Sequence, residues 1–301
     1  MCAGARVKPD LYGIFGNPLT HSLSPAMQEN AFRESGIEAR YLLLPLDLAG
    51  LRAVLTRKRN LLLKGFNVTI PFKETVSRYL EDVSEEARLV GAVNTVFVRN
   101  GRWAGTNTDV FGFMQSLGRD ASMSPRGKNA VVLGAGGAAR AAVYSLCKAG
   151  ISSAAIFNRS EARARRLTEE FGNLFPDARL TAHALRDPFL TEAVKKAALV
   201  VNATSMGLKA SDPMPLPAES IPRAAGKGRG KLFYDLIYAP AETPFLREAR
   251  RKGHRVLNGV GMLVYQGAKA FECWTNRRAP VKIMRAALLE ALKNRESGMK
   301  V

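Results

Sequence analysis

Short apolar runs alternate with amphipathic stretches through the first third of the chain. Apolar runs lie at 11–16, 41–47 and 65–70, and helical periodicity extends from Pro25 to about Ser35 and from 48 to about 59. The pattern then predicts helices over 72–80 and 84–90, a hairpin turning at Asn100-Gly101 and a connecting helix over 109–118. This alternation predicts an α/β domain.

From residue 130 onward the alternation of strands and helices becomes regular. The predicted elements are strands at 130–136, 153–158, 179–185, 198–204 and 231–238, and helices over 138–149, 160–171, 261–276 and 280–295. Strands that alternate with helices at this spacing favour a parallel sheet covered on both faces. The polar, turn-forming run at 122–129 indicates a domain boundary, and the Pro- and Gly-rich stretch at 211–230 indicates a surface loop.

A glycine-rich turn joins the predicted strand at 130–133 to the helix that follows it. Its sequence, Gly134-Ala135-Gly136-Gly137-Ala138-Ala139, satisfies G-x-G-x-x-A between a strand and a helix. Gly134 permits the tight turn, Gly136 lets the backbone approach a pyrophosphate, and Ala139 permits close packing of helix on strand. The turn predicts a dinucleotide site at a helix N-terminus; the alternative is a plain structural turn.

The end of the next strand indicates which dinucleotide binds. Asn158-Arg159-Ser160 stands at the position where NAD enzymes place an acidic residue for the ribose 2′-hydroxyl. This chain instead offers Arg159, the hydroxyl of Ser160, and Arg163 one turn along. Arginine forks pair with phosphate oxygens in two places, so the pattern predicts NADP(H). The alternative is an exposed basic start of a helix.

Four groups of polar residues in the first third stand where packing alone does not require them. They are Ser22 and Ser24 within 17–25, Asn67, Thr69 and Lys73 within 67–73, Asn94 in GAVNT, and Thr108-Asp109 in GTNTD. The first group leads into a helix N-terminus, where carboxylates bind, and the second ends a strand, where α/β sheets present ligand groups. An anionic ligand is therefore expected. Capping is the alternative for Ser24 and Asp109, which both precede predicted helices.

Composition and charge limit the class of partner. The 301 residues, 47% hydrophobic and 24% charged, suit two globular domains, and without a spanning segment or signal peptide the expected location is cytoplasmic. No metal site is expected, because the cysteines and histidines are isolated: Cys2, Cys147, Cys273, His21, His183 and His254. The net charge of +19 is spread over helix faces such as 57–59, 163–166 and 250–252 without interleaved aromatic residues. We therefore expect a monomer or homodimer that binds small molecules and no nucleic acid.

Taken together, the motifs resemble those of the shikimate dehydrogenase family, whose members use NADP(H) to reduce 3-dehydroshikimate in aromatic biosynthesis. The matching segments are GNPLTHSLSP, NVTIPFK, GAVNT, GTNTD, GAGGAAR, NRS, NATSMG, YDLIY and GMLVYQGA. The resemblance implies a substrate-binding domain of residues 1–110 and 259–301, to which the last helices return, and a Rossmann-like NADP-binding domain of 111–258. One departure is Gln28, where many relatives carry histidine.

The resemblance also implies the role of each site residue. Ser22 and Ser24 would hold the substrate carboxylate, Tyr238 would border the cleft, and the ring hydroxyls would bind Asn67, Thr69, Asn94, Asp109 and Gln266. On the cofactor side, the pyrophosphate would lie on Gly134, Ala135, Gly136, Gly137 and Ala138, and the adenosine phosphate end on Asn158, Arg159, Ser160 and Arg163. Thr204, Ser205 and Met206 would pass along the cofactor, and Gly259 and Met262 would lie near the nicotinamide.

Lys73 and Asp109 would form the catalytic pair. A cationic Lys73 can stabilise and protonate the developing alkoxide while Asp109 orients it. In the alternative assignment Lys73 positions the substrate and Asp109 is the base for shikimate oxidation. Competing functions are a dehydrogenase that also accepts quinate or NAD, a silent regulator, which should have lost Lys73 or Asp109, and a nucleic-acid binder, which rests on charge alone.

Overall fold

The computed structural model describes residues 8–20, 22–56, 63–209, 211–226 and 230–297. Cys2, His21 and the basic cluster at 57–59 lie outside this part of the chain. Within the described ranges, no helix is both long and apolar enough to cross a membrane.

The chain divides into two compact units. Unit 1 is Met1–Thr108 with Gly267–Val301, and unit 2 is Asp109–Gln266. The division into a substrate-binding domain of residues 1–110 and 259–301 and an NADP-binding domain of 111–258 remains a prediction.

Unit 1 is built on a mixed sheet. Its strands are β1 (Asp10–Phe15), β2 (Ala39–Leu44), β3 (Leu63–Val68), β4 (Asp82–Val83), β5 (Thr95–Arg99) and β6 (Arg102–Thr106). Their order is β2-β1-β3-β5-β6-β4; β1 runs parallel to β2 and β3, whereas β5 runs antiparallel to β3 and β6. The helices of this part are α1 (Ser24–Glu34), α2 (Leu48–Thr56) and α3 (Glu85–Val90). The predicted hairpin at Asn100-Gly101 is the β5–β6 connection, and both residues have positive φ.

The segment after β3 differs from the prediction in two ways. The strand ends at Val68, and Ile70, expected to be buried, is 65% exposed. The helix expected over 72–80 is instead a series of turns with one 3-10 turn at Val76–Tyr79. A tertiary contact competes with the helix here, because the carbonyl of Lys73 accepts a hydrogen bond from the Val93 amide, which lies outside the segment.

Unit 2 is a parallel sheet with helices between its strands. Its strands are β7 (Asn129–Leu133), β8 (Ser153–Asn158), β9 (Arg179–Ala184), β10 (Leu199–Asn202), β11 (Leu232–Asp235) and β12 (Arg255–Leu257). They are arranged β12-β11-β10-β7-β8-β9, which is the order of the Rossmann fold. The predicted parallel α/β domain is confirmed.

The helices of unit 2 include two that the sequence pattern did not predict. They are α4 (Asp109–Gln115), which continues as a π-helical turn over Ser116–Asp120, α5 (Gly137–Lys148), α6 (Glu161–Leu174), α7 (Phe189–Lys196) and α8 (Pro244–Arg251). Helices α7 and α8 were missed because each spans only 8 residues, too few for the helical period to stand out.

The last two helices return the chain to unit 1, as predicted. Helix α9 (Val260–Thr275) begins in unit 2 and ends in unit 1, and α10 (Val281–Glu296) packs against α1. In unit 1, a β-carbon at Gly267 would lie 2.2 Å from Met27 Cε. Gln28, the departure noted above, is fully buried and donates from Nε2 to the Gly267 carbonyl at 2.9 Å. The side chain of Gln28 therefore fixes α1 against α9.

Candidate active site

One edge of the unit 1 sheet collects the four predicted polar groups. The parallel strands β1 and β3 end at this edge, the antiparallel β5 begins there, and β6 ends there. The loops after β1 and β3 are joined by hydrogen bonds from the Thr69 amide to the Phe15 carbonyl (2.8 Å) and from the Asn17 amide to the Ile70 carbonyl (3.1 Å). The segments that carry Ser22 and Lys73 therefore emerge side by side.

The loop after β1 packs closely enough to position Thr69. A β-carbon at Gly16 would lie 2.2 Å from Thr69 Cγ2, so a glycine is required for this approach. Farther along the loop, the Ser24 amide donates to Ser22 Oγ at 3.4 Å. Ser24 is the first residue of α1, its N-cap is Leu23, and no side chain caps the helix, so the capping alternative for Ser24 is wrong.

A buried set of neutral side chains, here called the amide network, spans the ends of β3, β5 and β6. It consists of Asn67, Asn94, Thr95 and Thr108, each at most 5% exposed. Asn67 Nδ2 donates to the Asn94 carbonyl (3.1 Å) and to Thr95 Oγ1 (3.0 Å), and Tyr41 donates its hydroxyl hydrogen to Asn67 Oδ1 (2.7 Å). Asn94 Oδ1 accepts from the Thr108 amide at 2.7 Å, which fixes the orientation of the Asn94 side chain.

Lys73 and Asp109 occupy defined places in their own units. Lys73 is half-buried, and its carbonyl is held by the Val93 amide at 2.8 Å. Asp109 is buried and is the first residue of α4, directly after Thr108 of the amide network. Asp109 thus begins the helix instead of preceding it, contrary to the capping alternative.

Helices α4 and α9 bring Asp109, Gln266 and Met262 to neighbouring surfaces of unit 2. Gly112 lies three positions after Asp109, on the same face of α4. A β-carbon at Gly112 would lie 2.7 Å from the Met262 carbonyl and 2.8 Å from Gln266 Cβ. Close approach at Gly112 therefore places the predicted catalytic carboxylate on the face of α4 that packs against the α9 turn with Gln266.

Gly259 serves a packing role beside β11. A β-carbon at Gly259 would lie 2.1 Å from the Leu236 carbonyl, and the Gly259 amide donates to the Ile237 carbonyl at 2.9 Å. Tyr238 is half-buried in the same stretch after β11. These contacts fix the chain where it enters α9.

A cleft of about 690 Å³, here called the strand-end cleft, opens at the carboxyl ends of β7 to β10 in unit 2. Its lining contains eight of the predicted cofactor residues, Gly134, Ala135, Gly136, Asn158, Arg159, Thr204, Ser205 and Met206. The other lining residues are Ala184, Leu185, Arg186, Ala203 and Pro213. The lining does not include six further predicted residues, Gly137, Ala138, Ser160, Arg163, Gly259 and Met262.

The glycine-rich turn has the form that a pyrophosphate site requires. Gly134 has φ +112°, and a β-carbon there would lie 3.0 Å from the Ala203 carbonyl. Gly136 is the N-cap of α5 and has a φ of −91°, and a β-carbon there would meet no atom within 4 Å among the described residues. Among the described residues, no side chain caps α5, so its first amides are left without a side-chain acceptor there. The residues present fit a phosphate group at this helix end.

Asp235, at the end of β11, is a buried carboxylate with three hydrogen-bond donors. Thr243 Oγ1 donates to it at 2.7 Å, and the Ile237 amide and Asn202 Nδ2 each donate at 3.0 Å. Burial raises the pKa of Asp235 to about 6, and the bonds from Thr243, Ile237 and Asn202 partly oppose this rise.

Asn202 connects Asp235 to the loop that lines the strand-end cleft. Its Nδ2 also donates to the Met206 carbonyl at 3.1 Å, and its Oδ1 accepts from the Thr204 amide (3.1 Å) and hydroxyl (2.7 Å). Thr204 Oγ1 in turn accepts from the Met206 amide at 3.1 Å. Asp235, Asn202 and Thr243, here called the carboxylate network, therefore hold the loop that lines the cleft.

Several residues of these sites were not assigned a role from the sequence. Tyr41 and Arg186 lie outside every motif. Tyr41 lies on β2 beside β1 and reaches Asn67 with its hydroxyl, and Arg186 follows β9, which pairs with β8. Thr95, Asn202 and Asp235 stand inside the quoted motifs, so the motifs themselves were a signal for them. Among the described residues, no group of three or more His, Cys, Asp or Glu side chains could hold a metal ion.

Comparison with known proteins agrees with this geometry. The shikimate dehydrogenase substrate binding domain matches residues 14–96, shikimate / quinate 5-dehydrogenase matches 117–212, and the shikimate 5′-dehydrogenase C-terminal domain matches 259–289. A shikimate dehydrogenase (NADP(+)) of Geobacter metallireducens is 42% identical over 95% of this chain and 98% of its own.

Solved structures extend the comparison to the fold. Shikimate 5-dehydrogenase of Thermus thermophilus, in complex with NADP(H) and shikimate, has a TM-score of 0.80 and 40% identity over 94% of this chain and 99% of its own. The 5-ketofructose reductase of Gluconobacter sp. strain CHM43 has a TM-score of 0.79 and 33% identity over 94% and 99% of the two chains. The chain belongs to the shikimate dehydrogenase family of oxidoreductases.

Proposed function

We propose that this chain catalyses the reversible, NADPH-dependent reduction of 3-dehydroshikimate to shikimate in the biosynthesis of aromatic amino acids. The observation that carries the proposal is the convergence of Ser22, Thr69, Lys73 and Asn94 at one edge of the unit 1 sheet in a member of this family. Hydroxyl, amide and ammonium groups are the donors that a carboxylate with ring hydroxyls requires. The proposal includes a cytoplasmic location and a monomeric or homodimeric state.

On the substrate side, Ser22 and Ser24 bind the carboxylate. The ring hydroxyls bind Asn67, Thr69, Asn94, Asp109 and Gln266, and Tyr238 borders the place where the substrate binds. The amide network supports this assignment, because its internal hydrogen bonds hold Asn67 and Asn94 in fixed orientations before a ligand arrives.

On the cofactor side, the strand-end cleft binds NADP(H). The pyrophosphate lies on Gly134–Ala138, the adenosine phosphate end on Asn158, Arg159, Ser160 and Arg163, and the remaining contacts are Thr204, Ser205, Met206, Gly259 and Met262. The open space at Gly136 and the uncapped start of α5 support the pyrophosphate position.

Bound NADPH supplies a hydride to the ketone carbon of the substrate. Lys73 stabilises the oxygen that becomes negative and gives it a proton, and Asp109 orients the lysine. In the reverse direction the same groups accept the proton from the shikimate hydroxyl. In the alternative assignment, Asp109 is the base for shikimate oxidation and Lys73 positions the substrate.

The second candidate is a dehydrogenase that also accepts quinate or NAD. The shikimate / quinate name of the match over 117–212 favours it. Arg159 in the strand-end cleft, in place of an acidic residue, opposes a preference for NAD. Quinate differs by a hydroxyl on the carbon that bears the carboxylate, so the space beside Ser22 and Ser24 decides between the two substrates.

The experiment is to measure initial rates of shikimate and quinate oxidation with NADP and with NAD. Lys73→Ala should lower kcat/KM for shikimate by about 1,000-fold, because general acid–base groups contribute on that order. Binding of NADPH, followed by nicotinamide fluorescence, should be unchanged in Lys73→Ala.

Lys64→Ala is the matched control. Lys64 lies on β3, the strand that precedes Lys73, and its ammonium is 3.7 Å from Asp10 in an exposed ion pair that contributes little. Comparable rates with quinate or NAD would establish the second candidate. A wild-type protein without turnover on either substrate would contradict both.

A further inference from the structure

A second arginine enters the strand-end cleft beside Arg159. Arg186 lies two positions after the end of β9, and Arg159 lies one position after the end of β8. These strands are parallel neighbours, with Asn158 opposite Ala184, and the Leu185 amide donates to the Asn158 carbonyl at 3.0 Å. Both arginines therefore follow neighbouring strands at the same edge of the sheet, and both residues line the cleft.

The acidic residues next to these two arginines are engaged elsewhere. Asp187 accepts a hydrogen bond from the Phe189 amide at 2.8 Å and lies 3.1 Å from His183 Nδ1. Glu161 accepts from Arg165 at 2.6 Å. Within the described part of the chain, Arg159 and Arg186 make no ion pair. The cleft thus holds two exposed positive groups without a carboxylate against them.

We propose that Arg186, together with Arg159, binds the 2′-phosphate of the dinucleotide and so determines the preference for NADP(H). This inference rests on the proposed cofactor site and adds Arg186 to it. Arg163, predicted from the sequence for this role, lies in the first turn of α6, which follows Arg159. A planar guanidinium can offer two parallel hydrogen bonds to phosphate oxygens, and two such groups can share one dianion.

The experiment measures binding of NADPH and of NADH to the purified protein by nicotinamide fluorescence. These dinucleotides differ only by the 2′-phosphate. Arg186→Ala should weaken NADPH binding about tenfold, as expected for the loss of a charged hydrogen bond at an exposed site, and leave NADH binding unchanged. Arg186→Lys, which keeps the charge but not the fork, should lie between Arg186→Ala and the wild type.

Arg179→Ala is the matched control for net charge. Arg179 is exposed on the same strand, at the opposite end of β9, and its removal changes the protein's charge equally. It should leave the affinity for both dinucleotides unchanged at fixed ionic strength. Unfolding curves of all three variants should coincide with that of the wild type, because both side chains are exposed.

The outcomes separate this inference from the proposed function. A loss of more than about threefold that is confined to NADPH supports Arg186 as a reader of the 2′-phosphate. A smaller loss, an equal loss for NADPH and NADH, or the same loss in Arg179→Ala overturns it. A wild-type protein that binds neither dinucleotide, or prefers NADH, contradicts the proposed cofactor itself.

Discussion

Buried hydrogen-bond networks stand at the strand ends that carry the predicted ligand residues in both sheets, but the two networks differ in charge. In unit 1 the amide network is neutral, and Asn94 Oδ1 is held by a backbone amide at 2.7 Å. In unit 2 the carboxylate network is centred on Asp235, whose pKa is raised to about 6 by burial. Each network holds a loop or strand end in place, the first around Thr108 and the second around Thr204.

The difference shows two ways to fix polar groups without water. Amides and hydroxyls can satisfy one another inside a protein at little electrostatic cost, provided that every donor and acceptor is paired. A buried carboxylate gives stronger bonds but retains part of its desolvation penalty. We therefore expect the amide network to be sensitive to truncation and insensitive to pH, and the carboxylate network to depend on pH.

The largest expected effect comes from truncation within the amide network. Asn94→Ala should lower the free energy of unfolding by about 3–5 kcal/mol, because it leaves a cavity and deprives the buried Thr108 amide of its acceptor. Urea unfolding at several pH values measures the loss, which should be the same at each. The control is Asn129→Ala, an exposed asparagine at the start of β7, with an expected change within about 0.5 kcal/mol. A loss below about 1 kcal/mol would contradict the assigned network.

The next largest effect is the dependence on pH of the free energy of unfolding, compared between the wild type and Asp235→Asn. The folded-state pKa of Asp235, about 6, lies above its ordinary value of 3.8, so folding favours the protonated form. The stabilisation from this group is present below about pH 4 and is lost as the pH rises to about 6. Relative to Asp235→Asn, the wild type should lose about 3 kcal/mol over that range.

Asp187→Asn provides the contrast for this measurement. The backbone amide of Phe189 and the side chain of His183 lower the pKa of Asp187 below its usual range. Its contribution is therefore present above its ordinary pKa and is lost as the pH falls, the opposite sign to Asp235. If both differences ran in the same direction, the account of Asp235 as a group destabilised by burial would be wrong.

The smallest expected change in the free energy of unfolding is that of Gly136→Ala in unit 2, which can be compared with Gly16→Ala in unit 1. Gly136→Ala adds a methyl group to open space, so the free energy of unfolding should change by less than about 0.5 kcal/mol. NADPH affinity should nevertheless fall about tenfold, because the proposed pyrophosphate position is in that space. Gly16→Ala, by contrast, should destabilise the protein without a ligand, because its β-carbon would meet Thr69.

Gly172→Ala is the matched control for the methyl group. Gly172 lies in α6 with open space around it, so alanine should stabilise the protein by about 0.5–1 kcal/mol and leave NADPH binding unchanged. Unchanged NADPH affinity in Gly136→Ala would contradict the proposed position of the pyrophosphate at the start of α5.

Much of the fold was predictable because its signals are local. The strand, turn and helix around Gly134 and Gly136 were located from their spacing, and the alternation after residue 130 predicted the parallel sheet. The prediction of a helix over 72–80 was wrong, and a contact that competes with such a helix comes from Val93, which lies outside the segment and donates its amide to the Lys73 carbonyl. Local periodicity carries no information about such a partner.

The sequence by itself determined the family motifs, the Rossmann-like unit, and which polar and charged residue types were predicted for the substrate and cofactor sites. The tertiary structure decided which polar groups meet: Tyr41 with Asn67, Asp235 with Asn202, and Arg186 with Arg159 in one cleft. The physical reason is that strand order, and not distance along the chain, brings these side chains together. A motif specifies a turn or a cap within a few residues, whereas a hydrogen bond between side chains on different strands exists only after those strands have come together in the sheet.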